Sequence, residues 1–215
     1  MICIYLIRHG ETDWNRERIC MGQRDIPLNA LGQRQAELTA QRLADEPFDL
    51  IYSSDLARAL QTAQAIAQPH HLEPITRQAL RELDYGDWEG LARPEIEQRW
   101  PEVREFNGRQ EDSLAFQTPG GESRLELYRR ATQEFEQLCR RHQDQTVALV
   151  IHGGVIRAIV NYVLSQGVQA RQDEHFYTPS FACDNCGVTL VNIRRETELQ
   201  IAYLNDTSHL RTLAG

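Results

Sequence analysis

The chain contains no lysine, because all 23 of its basic residues are arginine. A catalytic Schiff base requires a lysine amine, and the phosphate-binding loop of P-loop NTPases uses a lysine to reach the phosphates. Both chemistries are therefore excluded. A biased genome composition accounts for the absence more simply than selection for function does, so the absence does not by itself indicate a mechanism.

The chain also has a net negative charge and no long apolar run. Its 31 acidic residues outnumber the arginines, which gives a net charge of −8. We therefore expect neither general nucleic-acid binding nor attraction to an anionic membrane, although an acidic protein can still hold a local positive pocket. No apolar segment of the sequence approaches the length that spans a bilayer.

Cysteines are few and scattered. Their odd number, five, and an N-terminal apolar stretch without a basic leader favour a cytoplasmic protein without disulfides. Cys183 and Cys186 have the spacing of half a zinc site or of a redox pair, but no second such pair and no nearby histidine pair completes a tetrahedral set. We expect no bound metal, and the role of these two cysteines stays open.

Apolar runs rich in β-branched residues alternate with helical patterns along the chain. This alternation is typical of an α/β fold, so we expect a three-layer α/β/α sandwich with a mostly parallel sheet in a single domain over residues 1–215. Residues 84–122 hold prolines and glycines without a regular period and are expected to form an irregular excursion over the site. The elements are predicted at residues 2–7, 31–43, 48–52, 56–67, 125–139, 146–151, 155–164, 187–193 and 199–204.

Three junctions between a predicted strand and the next helix carry basic side chains. Arg8 and His9 follow the first strand. Arg58 lies just inside the helix after the second strand, and His152 follows the strand at residues 146–151. Because the carboxyl ends of parallel strands open onto one edge, where helix N-termini add N–H donors, we expect these side chains to form an anion pocket. Any one of them alone would more often be structural.

The first strand continues into Leu6-Ile7-Arg8-His9-Gly10-Glu11-Thr12-Asp13-Trp14-Asn15, and further motifs occur at residues 22–29, 31–32, 53–63, 83–90, 152–154 and 205–210. Together they resemble the signature of the histidine phosphatase superfamily, which includes the cofactor-dependent phosphoglycerate mutases. The match is highly specific and covers nearly the whole chain. It implies a phosphoglycerate mutase-like fold, in which one antiparallel edge strand forms near the C-terminus.

The resemblance implies that His9 is the nucleophile, which forms a phosphohistidine that water then hydrolyses. Neighbouring cations should disfavour protonation of His9 and keep its lone pair available. The family match places the proton donor for the leaving group at Glu82, with Asp84 and Glu89 as fallback candidates. Since a cation pointing inward would oppose this role, we expect Arg81 to face solvent.

Phosphoryl transfer places developing charge on three equatorial oxygens, and the planar fork of arginine suits them. By resemblance, the donors to these oxygens are Arg8, Arg58 and His152. The scheme requires neither a metal nor an organic cofactor. Weaker candidates for the same pocket are Asn15, Gly22 and Gly153.

Mutases and phosphatases of this family share the pocket and differ in whether water reaches the phosphohistidine. The stretch between Glu82 and His152 looks shorter than in the mutases, whose insertion helps to cover the site, so we expect a phosphomonoester hydrolase rather than a mutase. A catalytically silent phosphate-binding or docking protein is a second alternative. Candidates for contacts at the mouth of the site are Tyr85, Trp88, Arg93, Arg99, Trp100, Arg104, Phe106 and Arg109.

The expected partner is a small phosphorylated metabolite. The sequence leaves open whether this is α-ribazole phosphate, phosphoserine, a phosphosugar or a broad set of phosphomonoesters. Oligomeric state is equally open: the apolar strand predicted at residues 187–193 could pair with a second subunit to give a homodimer, or be covered within one chain.

Overall fold

A computed structural model describes residues 1–105, 113–165, 181–194 and 198–213 of the chain. The strands in these residues are β1 (Ile2–Arg8), β2 (Leu50–Ser53), β3 (Ile75–Thr76), β4 (Thr146–Ile151), β5 (Val188–Ile193) and β6 (Leu199–Asp206). The α-helices are α1 (Asp13–Glu17), α2 (Ala30–Leu43), α3 (Ala57–Ala67), α4 (Arg93–Arg99), α5 (Arg124–Arg141) and α6 (Gly153–Leu164). Short 3₁₀ turns occur at Gln68–His70, Gln78–Leu80, Gly86–Trp88, Pro101–Glu105 and Ser208–Leu213.

The side chains of β1 divide the interior into two cores. Ile4 and Leu6 pack with residues of α5 and α6, whereas Tyr5 and Ile7 pack with residues of α2 and α3. Successive residues of a strand point to opposite faces, so a strand covered by helices on both sides must be apolar throughout. The predicted α/β sandwich with helices on both faces of the sheet is confirmed. None of the described helices combines the length and the apolar character that a membrane crossing requires.

The sheet has the order β3-β2-β4-β1-β5-β6. Strands β3, β2, β4 and β1 run parallel to their neighbours, which confirms the mostly parallel sheet. The antiparallel strand near the C-terminus is β5, and it lies one place in from the edge because β6 pairs antiparallel with its outer side. The strand that could have paired with a second subunit is therefore covered within the chain, and a homodimer stays a prediction.

This strand order brings several junctions to one edge of the sheet. Strands β2, β4 and β1 are neighbours and parallel, so their carboxyl ends and the helices that follow them open onto the same side. Strand β5 runs the other way and begins at that edge, where Val188 pairs with Ile7. The turn before β5 is tied to β1 by a hydrogen bond of 3.0 Å from the Cys186 N–H to the Arg8 carbonyl.

The excursion predicted at residues 84–122 has its own small core. Trp88, Ile96 of α4 and Val103 are buried together in one cluster. A bridge between Ile19 and Ala92 joins this region to the segment after α1. Residues 106–112 lie outside the described part of the chain. The excursion therefore contacts the loop that follows β1. The single domain expected over residues 1–215 stays a prediction.

Helix α2 begins in direct contact with the loop after β1. The Asn29 side chain caps the helix by accepting a hydrogen bond of 2.8 Å from the Gly32 N–H. A Cβ atom added to Gly32 would lie 2.0 Å from the carbonyl oxygen of Glu11, which is too close for any side chain. Glycine at position 32 therefore lets helix α2 pack closely against the loop that follows β1.

We expect Gly32→Ala to lower the free energy of unfolding by about 1–3 kcal/mol, because the atoms in contact are backbone and cannot turn aside. This loss should outweigh the better helix propensity of alanine. Urea denaturation measures the effect. The control is Gln33→Ala at the exposed neighbouring position, for which we expect a change within about 0.5 kcal/mol. Equal stabilities for the two variants would contradict the close contact.

Candidate active site

The carboxyl ends of β1 and β4 place two imidazoles side by side. His9 follows β1 and His152 follows β4, and their ring centroids are 5.2 Å apart with 58° between the planes. Arg58 extends from the first turn of α3 and is only 1% exposed. Its charge acts on both imidazoles. The structure therefore brings together the three residues that the sequence assigned to one pocket.

One nitrogen of His9 holds the ring, and the other is left for a ligand. Nδ1 lies 2.7 Å from the Gly10 carbonyl oxygen, which can only accept, so Nδ1 carries the proton of the neutral ring. Burial lowers the pKa of His9 well below 6.5, and the charges of Arg58 and Arg8 lower it further against the opposing effect of the Gly10 carbonyl. His9 is therefore neutral near pH 7, with the lone pair on Nε2.

His152 is fully buried, and neither of its ring nitrogens has a hydrogen-bond partner among the described residues. Burial lowers the pKa of His152 well below 6.5, and the charges of Arg58, His9 and Arg8 act in the same direction. His152 is the N-cap residue of α6, and the positive end of the helix dipole there favours an anion. A neutral imidazole with one N–H in this position can donate to an anionic ligand.

Two backbone carbonyls fix the fork of Arg58. Its Nη1 and Nη2 atoms donate to the carbonyls of Arg24 and Gly22, each at 2.8 Å, while its buried Nε has no partner among the described residues. Burial lowers the pKa of Arg58 to about 10, so the guanidinium stays charged at neutral pH. Arg8 is held in a similar way, through Nη1 to the Cys183 carbonyl, and its buried Nε also has no described partner.

Glu82 lines the same cavity, and two backbone amides hold its carboxylate. Oε1 accepts from the Leu83 N–H at 2.9 Å, and Oε2 accepts from the Gly154 N–H at 3.1 Å. A Cβ at position 154 would lie 2.2 Å from Oε1, so only glycine there leaves room for the carboxylate. The second glycine of the His152-Gly153-Gly154 motif therefore connects the predicted acid to the start of α6.

Arg81, which was expected to face solvent, is instead partly buried and binds a carboxylate. Its Nε and Nη2 donate to both oxygens of Asp55 at 2.7 and 2.6 Å. Arg130 is a residue that the sequence analysis missed. It donates to the carbonyls of Ala79, Arg81 and Glu82 and pairs with Glu122. Arg130 therefore braces the segment that carries Glu82.

The three weaker candidates lie near the site in different ways. Asn15 and Gly22 line the cavity, and the Gly22 carbonyl accepts from Arg58, so Gly22 positions that arginine. The backbone of Gly22 is left-handed, with φ of +51°. Gly153 opens α6, and a Cβ there would lie 3.8 Å from the Arg8 Nε. Direct phosphate contacts of these residues stay predictions.

The fallback acids hold backbone instead. Asp84 accepts a hydrogen bond of 2.9 Å from the Gly86 N–H, which closes a turn. Glu89 accepts from the N–H groups of Gln23 at 2.7 Å and Tyr85 at 3.3 Å, and burial raises its pKa. The Glu89 carboxylate packs where a Cβ of Gly22 would be, so it supports the glycine turn. Glu82 also accepts from backbone N–H groups, but of these three carboxylates it alone is among the described residues that line the cavity, which favours Glu82 as the acid.

Cys183 and Cys186 are free and buried, and burial raises the pKa of their thiols to about 11 and about 12. In the described parts of the chain, no cluster of histidine, cysteine or acidic residues could hold a metal ion. The segment contributes through its backbone and through Asn185, whose Nδ2 donates to the His9 carbonyl at 2.9 Å. Sequence reasoning missed Asn185 because only the antiparallel direction of β5 brings it to the site.

The cavity at this edge has a volume of about 360 Å³. Among the residues predicted at its mouth, Tyr85, Trp88 and Arg93 line it, Trp100 packs on Trp88 with ring centroids 6.3 Å apart, and Arg99 is exposed on α4. The Arg104 side chain, Phe106 and Arg109 lie outside what the structure describes. Lining residues that the sequence did not indicate include Arg18, Phe116 and Arg124.

Comparisons with known proteins agree with this geometry. The model of the histidine phosphatase superfamily (branch 1) matches residues 4–207. Phosphoserine phosphatase 1 of Hydrogenobacter thermophilus is 35% identical over 210 residues, which cover 98% of this chain and 95% of the relative. The solved structure of Bacillus stearothermophilus YhfR is 28% identical, with a TM-score of 0.84 over 98% of this chain and 100% of the other. Mycobacterial glucosyl-3-phosphoglycerate phosphatase, solved with VO3, is 28% identical, with a TM-score of 0.80 over 95% and 99%.

The two buried imidazoles predict a pH dependence of stability. Below pH 6.5 a histidine of the unfolded chain binds a proton, whereas the pKa values of folded His9 and His152 are lower and both rings stay neutral. The free energy of unfolding should therefore fall with decreasing pH below 6.5, by up to about 1.4 kcal/mol per pH unit for each ring.

Urea denaturation between pH 7 and pH 5 in phosphate-free buffer measures this slope. The double variant His9→Gln, His152→Gln should have a clearly shallower slope than the parent. His71→Gln, at an exposed histidine, is the control and should keep the parent slope. If the double variant and the parent had the same slope, the two rings would not be neutral in the folded protein.

Proposed function

Because the chain belongs to the histidine phosphatase superfamily, we propose that it hydrolyses phosphomonoesters by accepting the phosphoryl group on Nε2 of His9. The enzyme is a phosphatase, which is the activity named for the Hydrogenobacter thermophilus relative and for the mycobacterial structure. The observation that carries the proposed mechanism is the neutral, buried His9 ring beside the charged guanidiniums of Arg58 and Arg8. The two guanidiniums attract a phosphate dianion, and the same charges disfavour protonation of the imidazole, so His9 remains able to attack.

In the first step the Nε2 lone pair attacks phosphorus, and the bond from phosphorus to the ester oxygen breaks. Arg8, Arg58 and His152 donate hydrogen bonds to the three equatorial oxygens, over which the negative charge of the transition state is spread. The leaving alkoxide takes a proton from Glu82, which becomes a carboxylate. The products are a phosphohistidine and a free alcohol.

In the second step water attacks the phosphorus of the phosphohistidine, and the bond between phosphorus and Nε2 breaks. The Glu82 carboxylate accepts the proton of that water and so recovers its acid form. Inorganic phosphate leaves, and His9 is again neutral. Neither step requires a metal ion, so activity should persist in excess chelator.

The proposed substrate is a small hydroxy acid phosphorylated on its hydroxyl group. Phosphoserine and glucosyl-3-phosphoglycerate, which appear in the names of two relatives, share a three-carbon unit with a carboxylate at one end and the phosphate ester at the other. A cavity of about 360 Å³ accommodates such a unit. Its arginine lining complements the two anionic groups.

The alternatives make different products. A phosphoglycerate mutase would return the phosphoryl group to the bound product, and a silent binder would release substrate unchanged. Other similar proteins are named probable phosphoglycerate mutases, but the phosphatase names of the Hydrogenobacter thermophilus relative and of the mycobacterial structure favour hydrolysis over transfer. The set of His9, Arg8, Arg58, His152 and Glu82 is complete in this chain, which argues against a silent binder.

The setting of the enzyme is also a proposal. Five free cysteines fit a reducing cytoplasm, and a net charge of −8 fits a protein that binds small metabolites rather than nucleic acid or membrane. A homodimer is the remaining proposal, and sedimentation of the purified chain measures it directly.

The role of Glu82 predicts a dependence on the leaving group. An alkoxide such as that of phosphoserine needs a proton, whereas p-nitrophenolate departs without one. In excess chelator, Glu82→Gln should lower kcat for phosphoserine by about 10²–10⁴-fold, the range of general acid catalysis, and lower kcat for p-nitrophenyl phosphate by less than about tenfold.

The control is Glu37→Gln, at an exposed carboxylate of α2, which should leave both rates unchanged. Released phosphate, rather than an isomerised ester, should account for all substrate consumed. An equal loss on both substrates would remove Glu82 from the proton-transfer role. Parent activity that disappears with chelator would contradict the metal-free mechanism.

A further inference from the structure

The cavity carries more positive charge than a phosphoryl group alone needs. Besides Arg8 and Arg58, its described lining includes three further arginines, Arg18, Arg93 and Arg124, and Glu82 is the one carboxylate there. The remaining walls are largely aromatic and aliphatic. The lining therefore has a cationic end for the phosphoryl group and additional guanidiniums on its apolar walls.

Arg124 differs from the other two additional arginines in its partners. Arg93 donates to the Glu97 carboxylate at 2.8 Å and to the Val103 carbonyl at 3.0 Å, and Arg18 is exposed to solvent. The Nε of Arg124 is buried and has no hydrogen-bond partner in the described part of the chain. Its guanidinium carbon lies 5.5 Å from the centroid of the Phe116 ring, which fixes the plane of the fork.

The acidic residues that flank Arg124 are already occupied. Glu122 pairs with Arg130 and accepts from the Asp84 N–H at 3.0 Å, while Glu126 accepts from Ser123 to form the capping box of α5. In the described part of the chain, neither carboxylate forms a hydrogen bond or an ion pair with Arg124.

The position of Arg124 in the helix does not stabilise its positive charge either. Arg124 is the first residue of α5, where the helix dipole disfavours a cation. Its charge reaches the wall that holds Glu82: burial and then Glu82 raise the pKa of Tyr85, whereas Arg124 opposes them. The guanidinium is therefore placed against the fold's own electrostatic preference and toward the cavity.

We infer that Arg124 binds the carboxylate of the substrate, through Nε and one terminal N–H of its fork. This inference rests on the proposed function and adds the residue that selects phosphorylated hydroxy acids over simple phosphomonoesters. A planar fork matches the two oxygens of a carboxylate, and burial of an otherwise unpaired donor makes the loss of that group costly. A second phosphate is a poorer match, because the phosphoryl end uses two arginines and an imidazole. Here there is one arginine, whose buried Nε has no hydrogen-bond partner in the described part of the chain and whose guanidinium lies beside the Phe116 ring.

The experiment compares two substrates that differ in the carboxylate, O-phosphoserine and O-phosphoethanolamine. For Arg124→Gln we expect kcat/KM for phosphoserine to fall by about 10- to 100-fold, mostly through KM, and kcat/KM for phosphoethanolamine to change by less than about threefold. Arg124→Lys keeps the charge without the fork and should recover part of the loss. Arg140→Gln, at an exposed arginine of the same helix, is the matched control and should change neither value.

Three outcomes would overturn the inference: equal losses on both substrates, no loss on phosphoserine, or no preference of the parent for phosphoserine over phosphoethanolamine. Retained phosphoethanolamine hydrolysis by Arg124→Gln also shows that the variant is folded. The proposed function fails separately. It fails if the parent hydrolyses neither substrate nor p-nitrophenyl phosphate, or if His9→Ala hydrolyses them as well as the parent does.

Discussion

The site depends on keeping one imidazole uncharged in a pocket built for an anion. A protonated His9 would attract phosphate but could not attack it, and the structure prevents protonation mainly by burial and then by the charges of Arg58 and Arg8. The same guanidiniums that lower the pKa of His9 are the donors proposed for the phosphoryl oxygens. One electrostatic arrangement therefore serves both the nucleophile and the transition state.

Backbone groups hold this arrangement at nearly every point. Carbonyls of Gly22 and Arg24 fix the Arg58 fork, the Gly10 carbonyl fixes the His9 tautomer, and the Gly154 N–H holds Glu82. Side chains aimed by backbone need little reorganisation during the reaction, which is the condition for electrostatic catalysis. Close packing of these groups also explains why glycines cluster near the site: at positions 22, 32 and 154 a Cβ would occupy space that another group requires.

Much of this could be predicted from the sequence, for identifiable physical reasons. The apolar run of β1 requires helices on both faces, and the junctions after parallel strands must share an edge, so His9, Arg58 and His152 could be placed together before any coordinates. The two-residue strand β3 and the short helices α1 and α4 were missed because such elements carry too little periodicity. The place of β5 inside the sheet follows from the pairing of β6 with its outer side. Arg130 and Asn185 escaped notice because their roles follow from partners distant in the sequence. Arg124 escaped notice because its role follows from a buried Nε that has no hydrogen-bond partner in the described structure.

The central claim is that phosphorus is bound covalently to one nitrogen of His9 during turnover. Rapid mixing of the enzyme with ³²P-labelled phosphoserine, followed by alkaline quenching and peptide mapping, tests it most directly. We predict acid-labile label on the peptide that contains His9, formed and lost at rates no slower than turnover, and neither label nor turnover in His9→Ala. Full turnover with no label at His9, or with label on another residue, would contradict the account.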